Sequence, residues 1–167
     1  MDKGHDMSYK IRKAVVQDVD RVHGLVNGYA RDGTMLPRSL SELYDRIRDF
    51  TVCESGDRLL GCCALHVCWD NLAEVVSFAV RQDAHNRGIG TLLLQASMSE
   101  AQELGIDTIF TLTRVPAYFR RYGFVEVDKK MLPHKIWSEC IKCPKFPDCD
   151  EVAMVKELSI HQDKHIG

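Results

Sequence analysis

A glycine-flanked turn near the middle of the sequence is the segment best suited to chemistry. The apolar run Val75–Val80 is followed by a polar stretch, by Gly88-Ile89-Gly90 and then by a long helical pattern. This order predicts a buried strand, a loop and a helix whose first backbone N–H groups lack intrahelical partners and attract an anion such as phosphate. Arg87 would add a charge-assisted contact to that phosphate. The alternative is that the glycines only permit a tight turn and close helix packing.

Other familiar catalytic patterns are absent from the sequence. It contains no Gly-Lys-Ser/Thr P-loop and no Gly-x-Gly-x-x-Gly after the first predicted strand, which argues against a P-loop kinase and a nicotinamide-dependent enzyme. It also lacks a nucleophile elbow for a Ser-His-Asp triad and a carboxylate pair typical of glycosidases. The glycine turn is therefore the main indication of a binding site.

The composition is that of an ordinary globular protein from a reducing compartment. The 167 residues carry 22 Lys and Arg against 24 Asp and Glu, a net charge of −2, so we expect no nucleic-acid partner. Seven cysteines are an odd number and too few for a disulfide scaffold of this length. The sequence shows no secretory signal and no apolar run long enough to span a bilayer. We predict a cytoplasmic protein with no membrane partner.

Apolar periodicity predicts an α+β fold with a mixed sheet. The predicted strands are 9–14, 51–54, 59–69, 73–80, 109–112, 124–127 and 152–158. The predicted helices are 17–29, one that begins at Ser39 with a capping box to Glu42, 88–104 and 116–122. Leu40 and Leu92 are expected on the buried faces of their helices. We expect one domain over residues 1–167, with a core of about 9–158 and a tail at 159–167.

The glycine turn resembles the signature of the GNAT superfamily of acetyl-CoA-dependent N-acetyltransferases. That signature is a hydrophobic strand, Arg/Gln-x-x-Gly-x-Gly/Ala and a long helix, and it matches His85–Gly90. A second family element, an aromatic helix ending in Gly-Phe, matches Tyr118–Phe124. With the order of elements, the resemblance covers roughly residues 9–158. It implies a mostly antiparallel central sheet flanked by helices, and acetyl-CoA as co-substrate.

The resemblance also implies which residues contact acetyl-CoA. The strand backbone around Phe78, Ala79 and Val80 would bind the pantetheine and polarise the thioester carbonyl. The pyrophosphate would lie on the turn, whose residues are His85, Asn86, Arg87, Gly88, Ile89, Gly90 and Thr91. His85 departs from the usual Arg or Gln. Phe119 stands where many relatives carry a tyrosine proposed as general acid, which leaves the neighbouring Tyr118 as the candidate for that role.

A closer likeness connects the chain with the short, single-domain bacterial N-acetylglutamate synthases. It is carried by Met35–Leu40, Gly61–Leu65, Ala73-Glu74-Val75, Leu112-Thr113 and Trp137. This likeness implies L-glutamate as acceptor, the first step of arginine biosynthesis, and direct attack of the amine on the thioester. The alternatives are another amine, in a small molecule or at a protein terminus, and a non-catalytic acyl-CoA or metal-binding module. A homodimer is also possible.

Candidate catalytic and acceptor residues follow from the chemistry of amine acetylation. An α-amine is mostly protonated at neutral pH, so a base is needed, and Glu74 is our candidate. The alternative is that Glu74 only ends an exposed strand edge. A glutamate acceptor calls for arginines that pair with carboxylates, and Arg38 is the first choice. Thr113 and Arg114 are further candidates for acceptor binding.

A cysteine cluster lies between the Gly-Phe element and the last predicted strand. Cys140, Cys143 and Cys149 would supply three zinc ligands, and the upstream His134 would complete a set of four. A regulatory disulfide is a second interpretation, and free thiols in a proline-rich loop are the third, which we favour over zinc. The other four cysteines, at positions 53, 62, 63 and 68, fall on predicted strands and are expected to be buried.

Overall fold

The computed structural model describes residues 8–132 and 149–159. Its strands are β1 Lys10–Lys13, β2 Phe50–Ser55, β3 Arg58–Trp69, β4 Leu72–Val80, β5 Thr108–Thr113, β6 Val125–Val127 and β7 Val152–Glu157. Its α-helices are α1 Val19–Arg31, α2 Leu40–Arg46, α3 Ile89–Glu103 and α4 Pro116–Arg120. Each predicted helix and strand is present, with ends that shift by one or a few residues.

The strands form one mixed sheet in the order β1-β2-β3-β4-β5-β7-β6. β4 and β5 are parallel, as the predicted strand–helix–strand crossover requires, while β1 with β2, β2 with β3, β5 with β7 and β6 with β7 are antiparallel. The prediction of a mixed, mostly antiparallel sheet is confirmed. Within the described ranges, no helix is both long and apolar enough to cross a membrane.

Two predicted core positions are wrong. Leu92 on α3 is 38% exposed and Leu40 at the start of α2 is 42% exposed. The buried residues of α3 are Ile89, Leu93, Leu94, Ser97 and Ala101. At about 100° per residue they span an arc that begins at Ile89, and Leu92 lies on the other side of Ile89, outside that arc. Leu40 is a single exposed leucine, and single apolar side chains are common on protein surfaces.

The chain divides into two compact units. One comprises Met1–Ala64 and Ser77–Ser97, and the other comprises Leu65–Val76 and Met98–Gly167. The prediction of a single domain stays a prediction. In the first unit, β3 carries Gly61 beneath the first turns of α3. A Cβ atom at Gly61 would lie 2.9 Å from Leu93 Cδ1 and 3.1 Å from the Ala79 carbonyl oxygen. A larger residue at this position would therefore require Leu93 and the backbone around Ala79 to shift.

The second unit is built around β5 and β7. Its buried cluster consists of Leu72, Phe110, Leu132 and Ala153. The parallel register of β4 and β5 runs from Leu72 opposite Thr108 to Glu74 opposite Phe110. Glu74 is therefore the last residue of β4 that is paired with β5.

A buried carboxylate anchors the beginning of α1 in the first unit. The Asp18 side chain is 1% exposed and accepts hydrogen bonds from both terminal nitrogens of Arg12, at 2.7 and 2.9 Å. It also accepts from Arg21 at 2.6 Å and from the Val15 backbone N–H at 2.8 Å. The Arg12 hydrogen bonds lower the pKa of Asp18 to about 2. Because Arg12 lies on β1 and also pairs with Glu54 on β2, the cluster joins α1 to the sheet.

Replacing this carboxylate should change stability in acid. A folded-state pKa below the ordinary value of about 4 means that Asp18 contributes roughly 2 kcal/mol above pH 4, which is lost as the pH falls from about 4 to 2. We expect Asp18→Asn to lower the free energy of unfolding at pH 7 by about 2 kcal/mol or more and to flatten its fall between pH 4 and 2. Urea titrations at several pH values measure both effects.

The matched control is Asp20→Asn, which changes an exposed carboxyl in the first turn of the same helix. It should leave the free energy of unfolding within about 0.5 kcal/mol of wild type. An Asp18→Asn protein as stable as wild type at pH 7 would contradict the anchoring role.

Candidate active site

β4 contains a buried serine with an irregular backbone conformation. Ser77 has φ +52°, a left-handed conformation that is rare and costly for a residue other than glycine. Its carbonyl oxygen accepts a hydrogen bond from the buried Cys62 thiol at 3.4 Å. Phe78–Val80, the predicted pantetheine segment, follows directly. Sequence reasoning missed this irregularity because serine carries no signal for a left-handed conformation.

The loop after β4 is anchored at several points of the first unit. The Arg81 N–H donates to the Leu60 carbonyl oxygen at 2.8 Å, and Ala84 is 1% exposed. The Asp83 carboxylate accepts from Arg58 at 2.7 Å and from Arg81 at 3.2 Å, and these hydrogen bonds lower its pKa to about 2. The loop therefore leaves the sheet along a fixed path.

The turn that follows presents backbone amides. Asn86 and Gly88 have φ values of +63° and +78°. At the start of α3 the Leu92 N–H donates to the Gly88 carbonyl at 3.1 Å. The N–H groups of Ile89 and Gly90 lie in the first turn of α3, ahead of the carbonyls that serve as acceptors along a helix. The left-handed conformation of Gly88 agrees with a tight turn that favours glycine, and the binding of an anion at this turn stays a prediction.

His85 makes contacts within the protein. Its Nε2 atom lies 2.9 Å from the Val80 carbonyl oxygen and 3.0 Å from the Tyr29 hydroxyl oxygen. The Tyr29 hydroxyl also donates to the Val80 carbonyl oxygen. A direct contact between His85 and phosphate stays a prediction. Tyr29 was missed because it lies 51 residues from Val80 in the sequence.

The backbone of Arg38 is held by Asn27 of α1. The Asn27 side-chain nitrogen donates to the Arg38 carbonyl at 2.8 Å and to the His23 carbonyl at 3.0 Å. The Arg38 N–H donates to the Asn27 side-chain oxygen at 3.0 Å. Ser39 then begins α2 with the predicted capping box to Glu42. Arg38 therefore projects from a segment whose main chain is fixed on both sides, and sequence reasoning missed the part played by Asn27.

Glu74 and the other candidates lie in the second unit. Glu74 is half-buried on β4. Beyond it the Thr111 hydroxyl on β5 donates to the Val75 carbonyl at 2.9 Å. The Thr113 hydroxyl accepts from the Val115 N–H at 3.0 Å, and Arg114 pairs with Asp150 at 3.0 Å. These contacts shape the end of β5, and the predicted roles of Glu74, Thr113 and Arg114 stay predictions.

The aromatic helix α4 is packed by ring contacts. The Tyr118 ring centroid lies 5.4 Å from that of Phe119 and 5.3 Å from that of Tyr122, with the Arg121 guanidinium 4.9 Å from the Tyr118 centroid. Phe119 is 4% exposed and packs edge-on against Phe124. The position of the family's usual tyrosine is therefore part of the core. The role of Tyr118 as general acid stays a prediction.

Two of the three cysteines of the cluster, Cys140 and Cys143, lie outside the described residues. His134 and Trp137 lie outside them as well. Cys149 is described, and its carbonyl accepts from Lys129 at 3.4 Å. Within residues 8–132 and 149–159, no three His, Cys, Asp or Glu side chains are grouped closely enough to hold a metal ion. Three of the four strand cysteines are fully buried, and Cys68 is partly exposed.

The glycine at the turn provides a direct test of the amide site. An added Cβ atom at Gly88 would meet no atom within 4 Å, so Gly88→Ala changes only the conformational preference of the turn. Alanine disfavours the left-handed conformation by roughly 1–2 kcal/mol, so we expect CoA to bind roughly tenfold more weakly. Titration calorimetry measures the Kd.

The control is Gly24→Ala in α1, where an added Cβ atom also meets nothing and the residue is not left-handed. This change should leave the Kd for CoA unaltered and favour the helix. Equal Kd values for the Gly88→Ala and Gly24→Ala proteins would exclude the turn from CoA binding.

Two known acetyltransferases are similar to this chain in sequence. An uncharacterized N-acetyltransferase of Chlorobaculum tepidum is 39% identical over 89% of this chain and 96% of its own length. An amino-acid acetyltransferase of Mycobacterium tuberculosis is 30% identical over 83% of this chain and 80% of its own length.

The fold is also similar to solved structures. The N-acetylglutamate synthase of Neisseria gonorrhoeae, complexed with coenzyme A and N-acetyl-glutamate, matches 91% of this chain with a TM-score of 0.84 and 25% identity. This chain spans only 35% of the length of that protein. The model of the acetyltransferase (GNAT) family matches residues 23–124, more than half of the chain. The chain therefore belongs to the GNAT family and is an acetyl-CoA-dependent N-acetyltransferase.

Proposed function

We propose that this enzyme acetylates the α-amine of an amino acid, with L-glutamate as the preferred acceptor, and so catalyses the first step of arginine biosynthesis. The observation that carries the proposal is the likeness to the Neisseria gonorrhoeae N-acetylglutamate synthase, which extends over 91% of the chain. The Mycobacterium tuberculosis amino-acid acetyltransferase supports an amino-acid acceptor independently, because the match extends over 80% of that protein.

The reaction is a direct transfer between two bound substrates. The neutral amine attacks the thioester carbonyl carbon, the carbon–sulfur bond breaks, and CoA leaves as a thiolate that takes up a proton. The strand segment Phe78–Val80 polarises the carbonyl, while the amides of Ile89–Thr91 and the Arg87 guanidinium bind the pyrophosphate. Glu74 takes the proton from the amine, directly or through water, and Tyr118 is the candidate donor to the thiolate.

Arg38 binds a carboxylate of the acceptor. A guanidinium pairs with a carboxylate through two parallel hydrogen bonds, which is strong and directional only when the arginine is well placed. The two hydrogen bonds between Asn27 and the Arg38 backbone supply that placement. Arg114 is the weaker candidate because it already pairs with Asp150, which an acceptor carboxylate would have to displace.

The test of the proposed acceptor is a thiol-release assay with acetyl-CoA across the twenty amino acids. We expect L-glutamate to give the highest kcat/KM, followed by amino acids of similar shape. Release of CoA with polyamines or peptide N-termini, and none with any amino acid, would contradict the proposal and favour a different amine acceptor.

The role of Arg38 predicts a selective kinetic change. We expect Arg38→Gln to raise the KM for glutamate roughly ten- to a hundredfold, since a charge-assisted pair is lost, with the KM for acetyl-CoA within about twofold of wild type. Steady-state kinetics with each substrate varied in turn measures both values.

The control is Arg48→Gln, which removes an exposed arginine from the short turn after α2. It should leave both KM values near wild type. An equal rise in both KM values with Arg38→Gln would remove Arg38 from the acceptor site.

A further inference from the structure

We propose that Tyr29, His85 and the Val80 carbonyl form a latch that holds the acetyl-CoA loop, residues 81–88 between β4 and α3, in its binding conformation. His85 then supports CoA binding through this latch instead of by contact with phosphate. Tyr29 and His85 are thus positioning residues. The inference concerns acetyl-CoA binding, so it does not depend on which amine is the acceptor.

The hydrogen-bond geometry commits the imidazole to the latch. His85 Nε2 lies 2.9 Å from the Val80 carbonyl oxygen, which the Tyr29 hydroxyl also contacts as a donor. A carbonyl oxygen has two lone pairs, so donation from Tyr29 and from a protonated Nε2 fills its capacity. The second distance, 3.0 Å from Nε2 to the Tyr29 hydroxyl oxygen, closes the triangle. At this position the family signature has Arg or Gln, whereas this chain directs a ring nitrogen at its own backbone.

The latch fixes both ends of the loop that precedes the amides. Val80 is the last residue of β4, and His85 follows the short 3-10 turn Gln82–Ala84. Their contact therefore closes the loop on itself. The next residue, Asn86, has φ +63° and begins the turn that presents the amides. A fixed His85 thus determines where that turn starts.

Tyr29 ties the closed loop to α1. The Tyr29 carbonyl accepts hydrogen bonds from the Thr34 hydroxyl at 2.8 Å and from the Thr34 N–H at 3.2 Å, which fixes the last turn of the helix. Burial raises the pKa of the Tyr29 hydroxyl, so it remains a protonated donor at neutral pH. The hydroxyl therefore joins a well-anchored helix end to the loop.

A latch already closed in the free protein lowers the cost of binding. Ordering a loop at the moment of binding reduces affinity, and a loop that is only partly in its competent form raises the apparent Kd by the inverse of that fraction. Loss of either side chain should have the same consequence, because both act on one loop conformation.

The test is a double-mutant cycle on the Kd for CoA, measured by titration calorimetry without an acceptor. We expect Tyr29→Phe and His85→Ala each to raise the Kd roughly three- to tenfold, as the loss of one hydrogen bond at a partly exposed site predicts. The double variant should bind no more weakly than the weaker single variant, because one latch is broken only once. The thermal unfolding midpoint of each variant without CoA should stay near the wild-type value. A general loss of stability would lower that midpoint.

The control variant is Tyr44→Phe, which removes the hydroxyl of an exposed tyrosine on α2 and should leave the Kd unchanged. The latch is overturned if Tyr29→Phe binds CoA like wild type while His85→Ala does not, since His85 would then act alone. The latch is also overturned if the increase in Kd of the double variant equals the product of the increases of the two single variants. If His85→Ala does not fold, Tyr29→Phe alone decides, and an unchanged Kd rejects the proposal. A wild-type protein that binds CoA but does not acetylate glutamate would contradict only the proposed acceptor.

Discussion

The start of α3 imposes the constraint on which the first unit depends. The first turn of any α-helix has N–H groups that precede the carbonyls of the helix itself, and in α3 this turn begins at Ile89. Gly88 supplies the left-handed residue that begins the helix, and Gly61 lets its first turns lie directly on β3. A side chain at position 61 would crowd Leu93 and the Ala79 carbonyl, so the close packing of α3 on β3 depends on this glycine. An enzyme that must hold a pyrophosphate repeatedly in one position benefits from such close packing.

Helix α1 supports two segments of the site at once. Its beginning is joined to the sheet by the buried Asp18 cluster. Its last two turns carry Asn27, which holds the backbone of Arg38, and Tyr29, which contacts Val80. One helix thus contacts both the loop that we propose binds acetyl-CoA and the segment that we propose binds the acceptor. Polar side chains on α1 are therefore part of the functional architecture, although we assign none of them a direct contact with substrate.

Local patterns predicted the fold well and the polar contacts poorly. The capping box at Ser39 and the glycine turn at Gly88 are determined by neighbouring residues, so a single sequence reveals them. The contacts of Asn27 with Arg38 and of Tyr29 with Val80 join residues 11 and 51 positions apart. No periodicity signals such pairs. Leu92 was misplaced for a related reason, since which helix face is buried depends on what packs against it.

The central claim is that backbone amides at the start of α3 bind the pyrophosphate of acetyl-CoA. Amide hydrogen exchange, followed residue by residue with and without CoA, tests it most directly because exchange reports on the N–H groups themselves. The account predicts that exchange at Gly88–Thr91 slows on addition of CoA, while exchange of the exposed residues of α2 is unchanged. Equal exchange rates at Gly88–Thr91 in both states, with CoA shown to be bound, would contradict it.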